Sequence, residues 1–122
     1  DVSLERMRVD YLDIVLCHDL EYVDMTQIVE ETLPALRRQV EKGKVRFIGF
    51  TGHKDPKIHL KMLAHDFPFD TCQMPLNVFD GTYRSFEHDV LPILNQRGIA
   101  PLGMKSLSGN AEPIKQGIVT PE

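Results

Sequence analysis

The sequence has no apolar run near the roughly 20 residues that cross a bilayer, no excess of positive charge and only two cysteines. Fourteen Lys and Arg against eighteen Asp and Glu leave a net charge of −4, so nothing draws the chain to nucleic acid or to an anionic membrane. Cys17 and Cys72 lie far apart and form neither a disulfide framework nor a metal-ligand cluster, which suits a reducing, cytoplasmic setting. No signal or transit peptide opens the sequence, which starts Asp-Val-Ser-Leu-Glu-Arg. No Gly-x-Gly-x-x-Gly and no P-loop occurs, so both standard nucleotide fingerprints are absent. No pair among the five histidines has metal spacing. There is no low-complexity tract and no internal repeat beyond a βα rhythm.

What is present is enough for a core. The 122 residues are 42% hydrophobic and 26% charged, which excludes intrinsic disorder and fits one ordinary domain. Four β-prone runs stand out: Tyr11 to Leu16, Arg46 to Phe50, Thr71 to Met74, and Ile99 to Met104. Helix-length segments separate them, which predicts βαβ units and a parallel sheet. Asp24 caps a short helical turn through Ile28 and Val29, and Pro34 fits the first turn of a second helix that stops at Gly43. Asp55 and Pro56 open a helix running to about His65. Ser85 to Arg97 is helical, with Gly98 as its stop and a kink or restart at Pro92.

Val2 to Met7 reads as the last turns of a helix, and Thr120-Pro121-Glu122 as a cap and first turn. Two architectures meet this pattern. One is a self-contained four-stranded, flavodoxin-like domain. The other, favoured by both ends, is a single segment, residues 1–122, of a larger barrel truncated on each side.

In parallel α/β folds, ligands bind at the carboxyl ends of the strands. The residues there are His18 and Asp19; Thr51, Gly52 and His53; Gln73, Pro75 and Asn77; and Met104, Lys105 and Ser106. His18 suits a hydrogen-bond donor to a substrate oxygen or an acid–base group, and equally a strand-end cap. Lys105, ahead of Ser-Leu-Ser-Gly-Asn, suits a phosphate neutraliser or a plain polar turn. His53 lies in a glycine-containing loop. The helical positions of His59, His65 and His88 predict surface residues. Cys17 and His18 are neighbours on a strand, so their side chains point to opposite faces and do not form a nucleophile–base pair.

Several stretches in order resemble the aldo-keto reductase superfamily. Val9-Asp10-Tyr11-Leu12-Asp13-Ile14-Val15-Leu16-Cys17-His18 is similar to its Asp-Tyr-hydrophobic-Asp run ending in histidine. Gly43-Lys44-Val45-Arg46-Phe47-Ile48-Gly49-Phe50-Thr51-Gly52 and Arg97-Gly98-Ile99-Ala100-Pro101-Leu102-Gly103-Met104-Lys105-Ser106-Leu107 resemble two later strands of the family. Cys17-His18-Asp19-Leu20-Glu21 and Glu31-Thr32-Leu33-Pro34-Ala35-Leu36 further resemble its sugar-dehydrogenase branch.

The resemblance implies an α/β fold, a partial (β/α)8 TIM barrel of about four consecutive βα units, these strands being the fourth to seventh. It implies an oxidoreductase that moves a hydride between NADP or NAD and a small-molecule carbonyl or alcohol: an aldehyde, a ketone or a sugar. His18 matches the histidine that orients and polarises the substrate carbonyl. Thr51 and Gly52 fall where the family commonly has Ser and Asn on the nicotinamide carboxamide, and Gln73 matches the glutamine bonding that group. Gly52 lacks the side chain that position uses. Met104 stands where many members stack a tyrosine on the ring, and a thioether still covers a ring face. Lys105 and Leu107 match the loop along the cofactor pyrophosphate. The family's acid tyrosine, with its lysine and aspartate, belongs to earlier strands, so this chain alone is expected to be inactive. A non-catalytic cofactor-binding or regulatory relative of the fold is the alternative.

Overall fold

Leu12–Cys17 (β1), Val45–Thr51 (β2), Thr71–Pro75 (β3) and Ala100–Met104 (β4) extend where the β-prone runs predict them. The computed structural model describes residues 2–107, 109 and 115–117. All neighbouring strands pair in parallel, in the order β1-β2-β3-β4. Parallel crossovers are right-handed, so a strictly sequential order puts every connecting helix on one face of the sheet. A doubly wound sheet must reverse its order to cover both faces. Among the described residues the order does not reverse, which removes the flavodoxin-like alternative. The fold is part of an α/β barrel.

Side-chain alternation confirms the one-sided cover. Cys17, Phe50 and Cys72 sit in register across β1, β2 and β3. With Ile48 and Met74 they form the buried floor on which the helices pack. Residues one step along point the other way. Ile14 and Phe47, paired in register, are 43% and 41% exposed on that second face, the side a closed barrel turns inward. A cavity there is lined by Ile14, Phe47, Thr71 and Leu102. Asp70 locks the register at the strands' amino ends. Its Oδ2 accepts from the Ile48 N–H at 2.8 Å, its own N–H donates to the Ile48 carbonyl, and its carbonyl accepts from Ala100.

The helices start and stop as their punctuation predicts. Val2–Met7 (α1) precedes β1. Asp24 Oδ1 accepts from Thr26 N–H at 2.9 Å at the head of Met25–Gln27 (α2), and Asp55 Oδ1 does the same for Lys57 at the head of Pro56–Leu63 (α4). Gly43 and Gly98 take φ of 71° and 68°, the left-handed stop that a side chain resists. Pro92 restarts a helix: Phe86–Asp89 (α5) breaks at Val90, and Leu91–Arg97 (α6) follows. The separate helices expected around Pro34 are instead continuous. α2 passes through a π turn at Ile28–Thr32 into Leu33–Glu41 (α3). The Leu33 N–H reaches back to the Ile28 carbonyl, and the wider turn makes room for a proline that has no N–H to give. Thr120, Pro121 and Glu122 lie outside the described residues.

Candidate functional site

The four strands release their chains at one end of the sheet, and there the expected residues gather. Thr51 closes β2 and is in register with Gln73 on β3, which in turn pairs with Leu102 on β4. Met104, partner of Pro75, ends β4. His18 follows the last residue of β1. In alternation, Thr51, Gln73 and Met104 belong to the inward face, opposite the floor residues Phe50, Cys72 and Met74. Thr51 is buried, Gln73 and Met104 are half-buried, and the His18 side chain is 80% exposed. Lys105 sits beyond β4 in the left-handed region at φ 54°, and both it and Leu107 are exposed. The loop's next residues, Ser108 and Asn110, lie outside the described residues.

The loop after β1 grips the loop after β2. Leu20–Tyr22 forms a single 3-10 turn whose preceding residue, Asp19, takes φ 48° and ψ 70°. A non-glycine held in the left-handed region is uncommon and often marks a working site. Asp19 Oδ1 lies 3.7 Å from the Nε2 of both His18 and His53. Glu21 Oε1 accepts from the backbone N–H groups of His53 and of Lys54, the latter at 2.8 Å. Lys54 Nζ stands 3.8 Å from the centre of the Tyr22 ring, a cation–π contact. Burial raises the Glu21 carboxyl, but the N–H donors of Lys54, Glu21 and His53 and the nearby His53 ring outweigh it and hold the group below its ordinary range.

Gly52 has no free space in which to carry a side chain. A methyl group there would meet Glu21 Oε1 at 2.7 Å and His59 Cε1 at 2.8 Å. The carboxylate of Glu21 therefore occupies the volume that an asparagine at this position would need.

Two expectations need correction. His59 is on a helix but is fully buried, not at the surface. Its ring packs edge-on against Phe86 at 5.0 Å and tilted against Phe50 at 5.3 Å, and its Nε2 lies 3.3 Å from the Gln73 carbonyl oxygen. The signal was its place in the apolar stripe of α4 with Met62 and Leu63. Asn77 is spent on its own turn: Oδ1 accepts from the N–H groups of Phe79 and Asp80, and Nδ2 donates to Asp80 Oδ2 at 2.6 Å. His65 and His88 are exposed, as expected.

Burial lowers the basicity of His59; the Gln73 carbonyl and the Glu21 charge oppose this without reversing it. Unfolding returns the ring to its ordinary value of 6.5, so below that pH the unfolded chain binds the extra proton. The contribution of the neutral ring is complete above pH 6.5 and lost as pH falls toward the lowered folded value, at up to about 1.4 kcal/mol per pH unit. Urea unfolding from about pH 7.5 to about pH 5.5 should show this slope in the native sequence and a flatter one in His59→Phe. Identical slopes would refute it.

The cysteines are not part of the site. Both are buried in the floor, two strands apart, hence about 10 Å and beyond disulfide reach. Burial pushes the Cys72 thiol up to about 12 and raises Cys17 as well. Neither is a thiolate near neutral pH.

Residues 1–114 match the model of the Aldo/keto reductase family. The chain belongs to the aldo/keto reductase family. Over 121 residues it is 36% identical to L-galactose dehydrogenase of Arabidopsis thaliana, covering 98% of this chain and 35% of that protein. It is 31% identical to norsolorinic acid reductase of Aspergillus flavus over 108 residues, 84% of this chain and 26% of the other. The holo form of an aldo-keto reductase from Bacillus halodurans has the same fold, with a TM-score of 0.71 at 19% identity, covering 99% of this chain and 36% of that one. A glycerol dehydrogenase from Gluconobacter oxydans gives a TM-score of 0.67 at 25% identity, covering 97% of this chain and 32% of its own. The chain thus spans about a third or less of each of these relatives. Within the family's barrel, the carboxyl ends of the strands are the catalytic face, the end where His18, Thr51, Gln73 and Met104 lie.

Proposed function

We propose that these residues are the substrate histidine and the nicotinamide end of the cofactor site in an NADP- or NAD-dependent oxidoreductase. The chain is then a run of consecutive βα units from that enzyme's barrel. The observation carrying this reading is the shared face: Thr51 and Gln73 in register on adjacent strands, with Met104 and His18 at the neighbouring strand ends. A hydroxyl and an amide side by side suit the donors and acceptors of a carboxamide, and the Met104 thioether suits the face of a flat ring. The fit differs from the family pattern at Gly52, where Glu21 fills the side-chain space.

When bound, the reduced nicotinamide supplies a hydride to the carbonyl carbon. His18 donates a hydrogen bond to the carbonyl oxygen, orienting it and stabilising the charge that develops there. The proton that completes the alcohol comes from the tyrosine that the family carries on earlier strands. The likeness to a galactose and a glycerol dehydrogenase favours a sugar or polyol, with its corresponding aldehyde or ketone, as substrate. The buried free thiols agree with a reducing, cytoplasmic location.

The test uses the enzyme with its barrel complete. NADPH fluorescence should change on binding, and His18→Ala should cut turnover at least about tenfold while leaving that binding intact. No fluorescence change at millimolar NADPH or NADH would sink the cofactor reading. Unchanged turnover in His18→Ala would remove the histidine from the reaction and favour a regulatory relative.

A further inference from the structure

We propose that Glu21 is a positioning residue for the cofactor-ring end of the site: its carboxylate stands in for the side chain that residue 52 lacks and fixes the loop carrying Thr51 and Gly52. The inference rests on the cofactor reading above and assigns a role to a residue that reading does not use.

Three observations converge on it. The first is steric. Glu21 Oε1 and Cδ lie 2.7 and 3.0 Å from where a Gly52 side chain would begin, so a glycine at 52 and a glutamate at 21 are two halves of one arrangement. The second is the pairing of Glu21 with backbone. One carboxylate oxygen holds two consecutive N–H groups, those of His53 and Lys54, which no side chain of their own loop satisfies. Charge-assisted bonds of this kind are stronger than neutral ones, and two on one oxygen set the direction of the chain leaving β2. Asp19 and Tyr22, flanking Glu21, touch His53 and Lys54 through their own side chains, so the loop bearing His18 and the loop bearing Thr51 form one unit.

The third observation is an unpaid polar cost at the same place. Among the described residues, three buried side-chain polar atoms lack a hydrogen-bond partner: Glu21 Oε2, His59 Nδ1 and Thr71 Oγ1. Two of these belong to the residues wedged against Gly52. Buried polar atoms are normally paired, and a fold tolerates exceptions where geometry serves function rather than stability. His59 extends the wedge to the next strand, because its Nε2 bonds the carbonyl of Gln73. Glu21, Gly52 and His59 thus tie together the residues proposed to hold the carboxamide, Thr51 and Gln73.

The experiment is an exchange in the complete enzyme, comparing Glu21→Ala, Gly52→Asn and the double variant. Glu21→Ala should raise the cofactor KM and Kd about tenfold, with kcat within about twofold. Gly52→Asn alone should be at least as impaired, since its side chain collides with Glu21. The double variant should recover part of the affinity lost in Gly52→Asn, because asparagine enters the space that Glu21 vacates while the buried His59 ring, 2.8 Å from the added carbon, must still shift. Glu21→Gln, which keeps an acceptor oxygen, should also stay within about threefold. Hydrogen exchange reads the clamp independently of any cofactor: Glu21→Ala should lose protection at the His53 and Lys54 amides but not in the central strands. A double variant worse than either single, or kcat falling in step with KM and thermal stability, overturns the positioning role. Unchanged amide protection overturns the clamp itself, whereas a native enzyme that binds neither NADPH nor NADH overturns the cofactor reading and this role with it.

Discussion

Replacing Phe50 with alanine is expected to lower stability by about 3–5 kcal/mol, read as a fall in the urea midpoint at constant slope. Phe50 is completely buried at the centre of the floor, between Cys17 and Cys72 in the sheet register. Its ring meets Phe69 edge-on at 4.7 Å and His59 at 5.3 Å. Truncation removes the transfer energy of the ring and leaves a void between a rigid sheet and α4, which cannot collapse without moving the strand. The aromatic pairs add about 0.5–1.5 kcal/mol each beyond burial. Phe50→Leu, which refills most of the volume, should cost less than half as much. A loss below about 1 kcal/mol for Phe50→Ala would mean that the helices do not pack on this face.

Phe50 also shows how far the sequence carries. The run Arg46 to Phe50 reads as a strand because it is short, apolar and bounded by glycine and lysine before it and Thr-Gly-His after it. Each strand was found in the same way, because the period of the apolar residues and the glycine and proline stops are local properties of the chain. Strand order is not local, so the apolar pattern alone leaves barrel and doubly wound sheet open; the family resemblance favours the barrel, and the pairing of β1 with β2, and on to β4, without reversal bears it out. The positions at the carboxyl rim are legible for a related reason: they follow once the strands are known, and that rim is where parallel α/β folds bind ligands. His59 is buried because it shares the apolar stripe of α4 with Met62 and Leu63, a local signal that the polarity of a histidine masks, and the rings of Phe50 and Phe86 that receive it come from other segments. The role proposed for Glu21 is illegible in the sequence for a like reason. Its partner volume is the empty side of Gly52, 31 residues away in sequence, and a missing side chain leaves no pattern to read.

Gly49→Ala is expected to be the most damaging single-methyl change in the sheet, at about 3 kcal/mol or more, and to weaken cofactor binding along with stability. Gly49 pairs with Thr71 and Leu16 in register. A methyl group at 49 would lie 2.1 Å from Thr71 Oγ1, 2.5 Å from the Thr71 carbonyl oxygen and 2.7 Å from Leu16 Cδ2. The hydroxyl can rotate away, but the carbonyl belongs to the backbone of β3, so the strands themselves must separate. Thr71→Ala should therefore fail to rescue Gly49→Ala, which distinguishes a backbone collision from a crowded side chain. Gly49 stands two residues before Thr51, and Thr71 two before Gln73, on the same inward face. Spreading β2 from β3 here widens the gap between Thr51 and Gln73, the pair proposed to share one carboxamide. Cofactor affinity should thus fall in Gly49→Ala even at temperatures where the variant remains folded, as followed by NADPH fluorescence beside circular dichroism. A folded Gly49→Ala protein with native affinity would show that the two strands can part without disturbing their ends, and would separate the site from the sheet that carries it.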